Sequence, residues 1–345
     1  MKAAVLEDKG IITYREVPTP SPRPGHVLLK VKAVSICGSD IMRYAKGHRR
    51  YNLVLGHECA GIIAEVGDQV SKDLVGRPAS VVPLVPCFDC EQCRAGRYSA
   101  CHQYSFIGSR QNGGYAEYVE LPERCAFLLP DRIDLEAAAL IEPSTVARHI
   151  IDLGNFEAGQ SAIVLGAGSV GLMAVQWLRI LGAKLIISTD VVDDNLQVAR
   201  ELGAHVTLNP KNVDVKEEVK KLAGDGVDLT IEAAGSPQAL AQTIEVTRPR
   251  GNIVCGGNQP PEASLPLTFI EDLMRKELRL NGCFMSYSAP FPGHEWTDSV
   301  QAMLSGQLNV ARMISHRYLL AQAPQVFEDI AARRISYRKI MLLPE

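Results

Sequence analysis

The stretch Ser161–Leu181, SAIVLGAGSVGLMAVQWLRIL, decides the fold. It opens with an apolar run of strand length and closes with a longer helical pattern, LMAVQWLRIL. Between them Gly166, Gly168 and Gly171 stand in G-x-G-x-x-G order, with Ser169 and Val170 inside the loop. A strand that turns through such a loop into a helix suits a dinucleotide. The first glycine permits a tight turn, the second lets backbone approach the pyrophosphate, and the third lets helix and strand pack closely. The helix N-terminus offers free N–H groups and the positive end of its dipole to the phosphates. Small residues also make plain tight turns, so the loop alone is a weak signal. The next strand strengthens it. AKLIISTD ends at Asp190, roughly 20 residues beyond the loop, where a carboxylate accepts hydrogen bonds from a ribose. That charge repels a 2′-phosphate, and the VVDDN that follows has no Arg to neutralise one. NAD is therefore expected, held by Gly166, Gly168, Ser169, Val170, Gly171 and Asp190.

Outward from this loop the same texture continues. NLQVARELG, HVTLN, VDLTIEAAG, ALAQTIEVTR and GNIVCGG alternate helical patterns with apolar strands. That alternation predicts parallel βαβ units covered on both faces. Upstream the texture differs: HVLLKVKAV, AGIIAEVG, ASVVPLV and GGYAEYVEL are short strands punctuated by Gly and Pro, a compact β-rich unit. The change falls near EPSTVARHIIDLG. After about Met285 come a Pro-rich loop (SAPFPGHEW), helical SVQAMLSGQ and QVFEDIAARR, and a last strand KIMLLP. The expected fold class is α/β. A β-rich domain over 1–146 and 287–345, with a loop lobe at about 85–103, is interrupted by a doubly wound parallel-sheet domain over 147–286.

The chain has 345 residues, 46% of them apolar, and a formal net charge of -3. This length suits two domains, and the balance argues against disorder, a nucleic-acid partner and a solvating acidic tail. The opening MKAAVLEDKG carries charges where a signal peptide needs an apolar run, and no long uncharged apolar window suggests a membrane span. A cytoplasmic protein is expected. In that reducing compartment a tight cysteine cluster favours metal over disulfides. VPCFDCEQCRAGRYSAC supplies one: Cys87, Cys90, Cys93 and Cys101, four of nine cysteines. Four thiolates fill a tetrahedral zinc and leave no open position, so this cluster reads as structural.

A second constellation is scattered. Cys37 lies in SICGSD, His57 and Glu58 in LGHECAG, and Glu142 in ALIEPST. Thiolate, imidazole and carboxylate suit zinc, and three protein ligands with one open position mark a catalytic site. A lone Cys is usually a small buried hydrophobe and a lone His usually structural, so spacing leaves both readings open.

The ordered set CGSD, GHE, the four-cysteine lobe, GGYAEY and GAGSVG resembles the zinc-dependent medium-chain alcohol and polyol dehydrogenases over nearly the whole chain. The resemblance implies a GroES-like catalytic domain and a Rossmann domain, two zinc ions per chain, hydride transfer from a secondary alcohol to NAD, and a homo-oligomer (dimer or tetramer). It implies that Cys37, His57 and Glu142 or Glu58 surround the reactive zinc, the two carboxylates being able to exchange roles. Glu142 in place of a third-ligand cysteine resembles the polyol branch. CFDCEQC, FIGSR, IEP and MSYSAPFPGHEW point further, to a polyol or polyol phosphate, galactitol 1-phosphate oxidised at C5 foremost. A free polyol of the sorbitol or L-iditol type, or threonine, is the alternative substrate. A catalytically silent, zinc-stabilised binding protein would be expected to lack Cys37, His57, Glu142 or the glycine loop, and all are present.

The resemblance also places Ser39 at the head of a proton relay, giving Ser39, His57 and Glu58 as the catalytic set; a helix cap is the plainer reading of Ser39. Where many relatives continue the relay with a His, this chain has Met42, and His48 is the nearest replacement in sequence. A substrate phosphate needs cations. RYAKGHRR offers Arg43, Lys46, His48, Arg49 and Arg50, and FIGSR offers Arg110. Arg110, with its forked donors, and His48 are the expected contacts.

Overall fold

The structure, a computed structural model, describes residues 1–260, 264–266 and 268–345. The chain divides into two compact units. One holds Met1–Glu142, Tyr287–Leu304 and Val310–Glu345; the other holds Pro143–Ser286 and Ser305–Asn309.

The second unit is the doubly wound parallel sheet. Its six strands lie in the order Val206–Leu208, Leu185–Thr189, Ser161–Leu165, Val227–Glu232, Thr247–Cys255, Arg279–Gly282. All neighbouring pairs are parallel. Every residue of Ser161–Leu165 is buried, as a strand covered on both faces must be. Ile163, Leu165 and Ile187 pack with Val215 and Val219 of the helix Val215–Ala223 to form part of its core. The strand order runs outward in both directions from Ser161–Leu165 and Val227–Glu232. The crevice at their carboxyl ends is the switch point where such sheets bind ligands.

In the first unit a seven-stranded sheet is built around His26–Ser35. This strand pairs antiparallel with Glu58–Val66, with Tyr118–Pro122 and, near its end, with Lys339–Leu343. Its apolar residues are buried while Lys32 is exposed. The pattern follows HVLLKVKAV, although register shifts break strict alternation. Three features differ from the sequence reading. ASVVPLV is two strands, Pro78–Val81 and Leu84–Val85, because Pro83 cannot donate to a ladder. The β-rich unit carries a helix, Gly38–Lys46, directly after its central strand. The tail has an additional strand, Ile314–Leu319, whose mixed sequence ISHRYL shows no apolar run; it pairs parallel with Lys339–Leu343.

The helix Ala323–Ala331 buries Phe327 completely, its ring 5.5 Å from Tyr44 and 5.8 Å from Tyr115. Phe327→Ala is expected to cost about 3–5 kcal/mol, and so to lower the thermal midpoint of the first unit by roughly 10 °C. A shift under about 2 °C would show that the helix docks without this ring.

Candidate active site

Strand pairing assembles the scattered residues. In the register of the strands His26–Ser35 and Glu58–Val66, Ser35 lies opposite Glu58. Cys37, two residues beyond Ser35 and flanking the helix Gly38–Lys46, is thereby brought to His57 and Glu58. The ligand atoms of Cys37, His57 and Glu58 all lie within 4.8 Å of one another. Gly56 makes the approach possible. Its φ is +92°, and a Cβ there would lie 2.6 Å from the Tyr115 ring.

His57 and Glu58 are buried, Cys37 is half-buried, and the carboxylate of Glu58 is paired. Glu58 Oε2 accepts from Lys339 Nζ at 2.6 Å and from the Ser35 hydroxyl. Lys339 opens the last strand, and its Nζ also donates to the Ile36 carbonyl at 3.3 Å. Burial pulls the Lys339 pKa down, but Glu58 and Cys37 more than offset this and leave it raised. Asp40, fully buried in the first helical turn, lies 3.6 Å from His57 Nδ1. It accepts from Tyr115 Oη at 2.7 Å and from Arg43 Nη1 at 2.9 Å. Burial opposes the charge on His57, yet Asp40 and Cys37 hold its pKa well above the ordinary value. Glu142 is buried in the same field though outside the 4.8 Å cluster. Burial first, then Glu58 and Asp40, push its pKa up to about 7, against His57 and Lys339. Ser39 Oγ donates to Cys37 Sγ at 3.3 Å.

These residues fit a zinc ion. The donor set is thiol, imidazole and carboxylate, and His57 Nδ1 is a buried polar atom with no hydrogen-bond partner. Cys37, His57 and Glu58, with Glu142 close by, would hold it.

The four cysteines of the lobe form a separate cluster, their sulfurs within 4.8 Å of one another and none in a disulfide. Backbone N–H groups hold them: Cys90 N donates to Cys87 Sγ, and Cys87 N to Cys101 Sγ, each at 3.3 Å. Donors from Cys93 and His102 bring the Cys90 thiol down to about 6, while burial pushes Cys93 up to about 12. Thiols so presented fit a closed, four-sulfur zinc site. The lobe packs against the tail through aromatic edges. Phe291 lies 5.2 Å from Phe88 and 5.3 Å from Tyr98, ring centre to ring centre, in T-shaped contacts.

In the second unit the glycine loop borders a cavity of about 540 Å³, lined in part by Gly166, Gly168, Asp190 and Ala234. Gly166 has φ +102°, and a Cβ on Gly171 would lie 1.8 Å from the Gly166 carbonyl oxygen. Asp190 ties the loop down, accepting from Ala167 N at 2.7 Å and Val192 N at 2.9 Å. Ser169, the first helical residue, has a buried hydroxyl without a partner. An open glycine cradle with an unsatisfied donor at a helix N-terminus fits a nucleotide pyrophosphate.

Two expected contacts lie outside the metal cluster. Arg110 is exposed; its guanidinium stacks 3.7 Å from the Tyr104 ring centre, and Nη1 donates to the Tyr104 carbonyl at 2.7 Å. His48 Nδ1 is 3.1 Å from Arg50 N. Met42 is 38% exposed. Sequence reasoning missed Asp40, Tyr115 and Lys339. The available signal for Lys339 was a cation opening an otherwise apolar strand, KIMLL.

Two measurements check this assignment of metals. Cys90→Ser is expected to lower zinc content from two ions per chain to one, by elemental analysis, with the Cys37 cluster still loaded; unchanged content would remove Cys90 from the ligand set. Zinc must also displace a proton from His57, and from Glu142 wherever that carboxylate is used. Affinity at the Cys37 cluster should therefore fall as pH drops, through the raised range of His57 and, where Glu142 is used, below about 7, by up to about tenfold per pH unit for each proton released. Chelator competition at pH 8 and pH 6 reads this directly, and equal constants would show that neither group is protonated in the metal-free site.

Comparison with known proteins agrees with this geometry. Residues 23–131 match the alcohol dehydrogenase GroES-like domain, and residues 169–305 match the zinc-binding dehydrogenase model. The chain is 34% identical to galactitol 1-phosphate 5-dehydrogenase of Escherichia coli (strain K12) over all of both chains. It superposes on the crystal structure of the Escherichia coli galactitol-1-phosphate dehydrogenase with a TM-score of 0.95, again over all of both, at 33% identity. It is 34% identical to sorbitol dehydrogenase of Bacillus subtilis (strain 168), over all of this chain and 97% of that one. A zinc-binding dehydrogenase from Sinorhizobium meliloti 1021, solved with NADP, matches with a TM-score of 0.92 and 32% identity over 99% of each chain. With identity of this extent joined to a thiol–imidazole–carboxylate cluster and a glycine-lined cavity, the chain belongs to the zinc-dependent alcohol and polyol dehydrogenases, oxidoreductases that act on small molecules with a nicotinamide cofactor.

Proposed function

We propose that this protein oxidises a secondary alcohol of a polyol phosphate, galactitol 1-phosphate at C5, to the keto-sugar phosphate with NAD. The observation that carries the reaction type is the meeting of half-buried Cys37 with buried His57 and Glu58 within 4.8 Å, with the Ser39 hydroxyl 3.3 Å from Cys37 Sγ. Zinc held there would supply Lewis-acid polarisation of the alcohol oxygen, and nicotinamide would accept the hydride. The chain's own part is to fix the geometry and move the proton. Asp40 lies beside the His57 ring, 3.6 Å from Nδ1, Lys339 holds Glu58, and Ser39 Oγ accepts the alcohol proton. Methionine cannot carry that proton further, so Met42 ends any side-chain relay along this helix. His48 remains the alternative exit.

The choice of NAD rests on Asp190, whose carboxylate lines the cavity and would repel a 2′-phosphate. One cation approaches this strand end, Lys211, whose Nζ donates to the Val191 carbonyl at 3.3 Å. The phosphate reading draws on the galactitol 1-phosphate relative and on Arg110, which uses one donor locally and keeps the rest of its fork. A second reading, a free polyol, is favoured by equal identity to sorbitol dehydrogenase. A homo-oligomer is part of the proposal: the sheet ends at Arg279–Gly282, with Leu280 and Phe284 exposed beside it.

Steady-state assays with galactitol 1-phosphate, sorbitol and threonine, each with NAD and with NADP, test the reading. The phosphate with NAD should give the highest kcat/KM. Arg110→Ala should then raise KM for the phosphate roughly tenfold or more and leave KM for sorbitol nearly unchanged. Highest turnover on free sorbitol, or equal effects of the substitution on both substrates, would overturn the phosphate assignment.

A further inference from the structure

Ser39 lies in the first turn of the helix Gly38–Lys46, and Arg43 lies one turn further along the same face. Arg43 Nη1 donates to Ser39 Oγ at 2.8 Å and to Asp40 Oδ1 at 2.9 Å. The arginine side chain is only 23% exposed. Among the expected phosphate-binding cations, it is the one joined to the metal cluster, through Ser39 and Asp40.

We propose that Arg43 is a positioning residue for the reaction: it holds the Ser39 hydroxyl in the orientation that receives the alcohol proton. This rests on the role given to Ser39 above. A serine hydroxyl has one hydrogen to give and two lone pairs to accept with. Arg43 fills one lone pair, and the hydrogen points at Cys37 Sγ. One lone pair is left, and its direction is set by the other two contacts. Asp40 locks the guanidinium in turn and is itself fixed by Tyr115, so the hydroxyl is aimed by a buried and charge-balanced framework. The fixed cation favours release of the hydrogen of Oγ in concert with, or ahead of, arrival of the alcohol proton, so that Oγ never carries positive charge.

The proton balance is complete without a titrating partner. The alcohol carbon gives its hydrogen, with both bonding electrons, to the nicotinamide. The alcohol oxygen gives its proton to the open lone pair of Ser39 Oγ, and the hydrogen that Oγ held toward Cys37 Sγ swings away from the sulfur and leaves to water. The guanidinium stays protonated throughout. Arg43 therefore orients and does not relay, which suits a helix whose neighbouring position is Met42.

The test is a double-mutant cycle on the zinc-loaded enzyme with Arg43→Met, Ser39→Ala and the pair, with Arg43→Lys as the conservative variant. Galactitol 1-phosphate and sorbitol are the substrates. Arg43→Met should lower kcat roughly 10- to 100-fold, as a displaced catalytic group does, with KM for either substrate changing less than about threefold. Arg43→Lys should recover part of the loss. In the Ser39→Ala background, Arg43→Met should cost less than about threefold further, because its partner is already gone. Zinc content should stay at the wild-type value. Several results would overturn the proposal: multiplicative losses; a KM increase confined to the phosphate substrate, which would make Arg43 a phosphate contact; or zinc loss, which would place its action through Asp40 and His57. If Ser39→Ala leaves kcat unchanged in an active enzyme, the reading of Ser39 fails and this inference fails with it. If multiplicative losses accompany an impaired Ser39→Ala, only the inference fails.

Discussion

The pairing of strand His26–Ser35 with both Glu58–Val66 and Lys339–Leu343 is the constraint on which the active site depends. It places a carboxylate from one neighbour and an ammonium from the other beside a thiol at the end of the middle strand. The Lys339–Glu58 contact at 2.6 Å is buried on both sides, and a buried charge without its partner costs several kcal/mol. The pair is thus less a source of stability than a condition on register. A slip of one residue in either ladder would turn Glu58 or Lys339 to the opposite face and leave the other charge unpaired.

A comparable economy governs the helix that follows. Asp40 is reached by Arg43, Tyr115 and His57, three groups from three stretches of chain. Its carboxyl is held below the usual range because these partners overcome the burial that would raise it. Against the pull of burial, the same carboxylate raises the pKa of the His57 imidazole in the metal-free cluster. Tyr115 meets Phe327 on its other edge, so packing of the helix Ala323–Ala331 reaches the site through one ring.

The parallel-sheet unit was legible because its signals are local: glycines at fixed spacing, apolar strands and a carboxylate about 20 residues on. Cys37, His57, Glu58 and the four cysteines were named from spacing and resemblance, and the folded chain brings each set together. Asp40, Tyr115 and Lys339 were not, since their importance comes from contacts 17, 75 and 281 residues apart in sequence. Strand Ile314–Leu319 was hidden by its mixed, half-exposed pattern. Arg43 was read only as one of several cations available to a substrate phosphate, because its partners, one turn back, look in sequence like a cap and an acidic neighbour. A side chain's donors have directions that composition does not carry.

The late position of Lys339 has a consequence for how the molecule comes into being. The parallel-sheet unit ends, but for a short return, at Ser286, so its strands are all available before the first unit is whole. During synthesis Cys37, His57 and Glu58 emerge long before the strand Lys339–Leu343, which carries the cation that pairs with Glu58. The ion pair that joins the two strands flanking the middle one thus forms only after the parallel-sheet strands have been made.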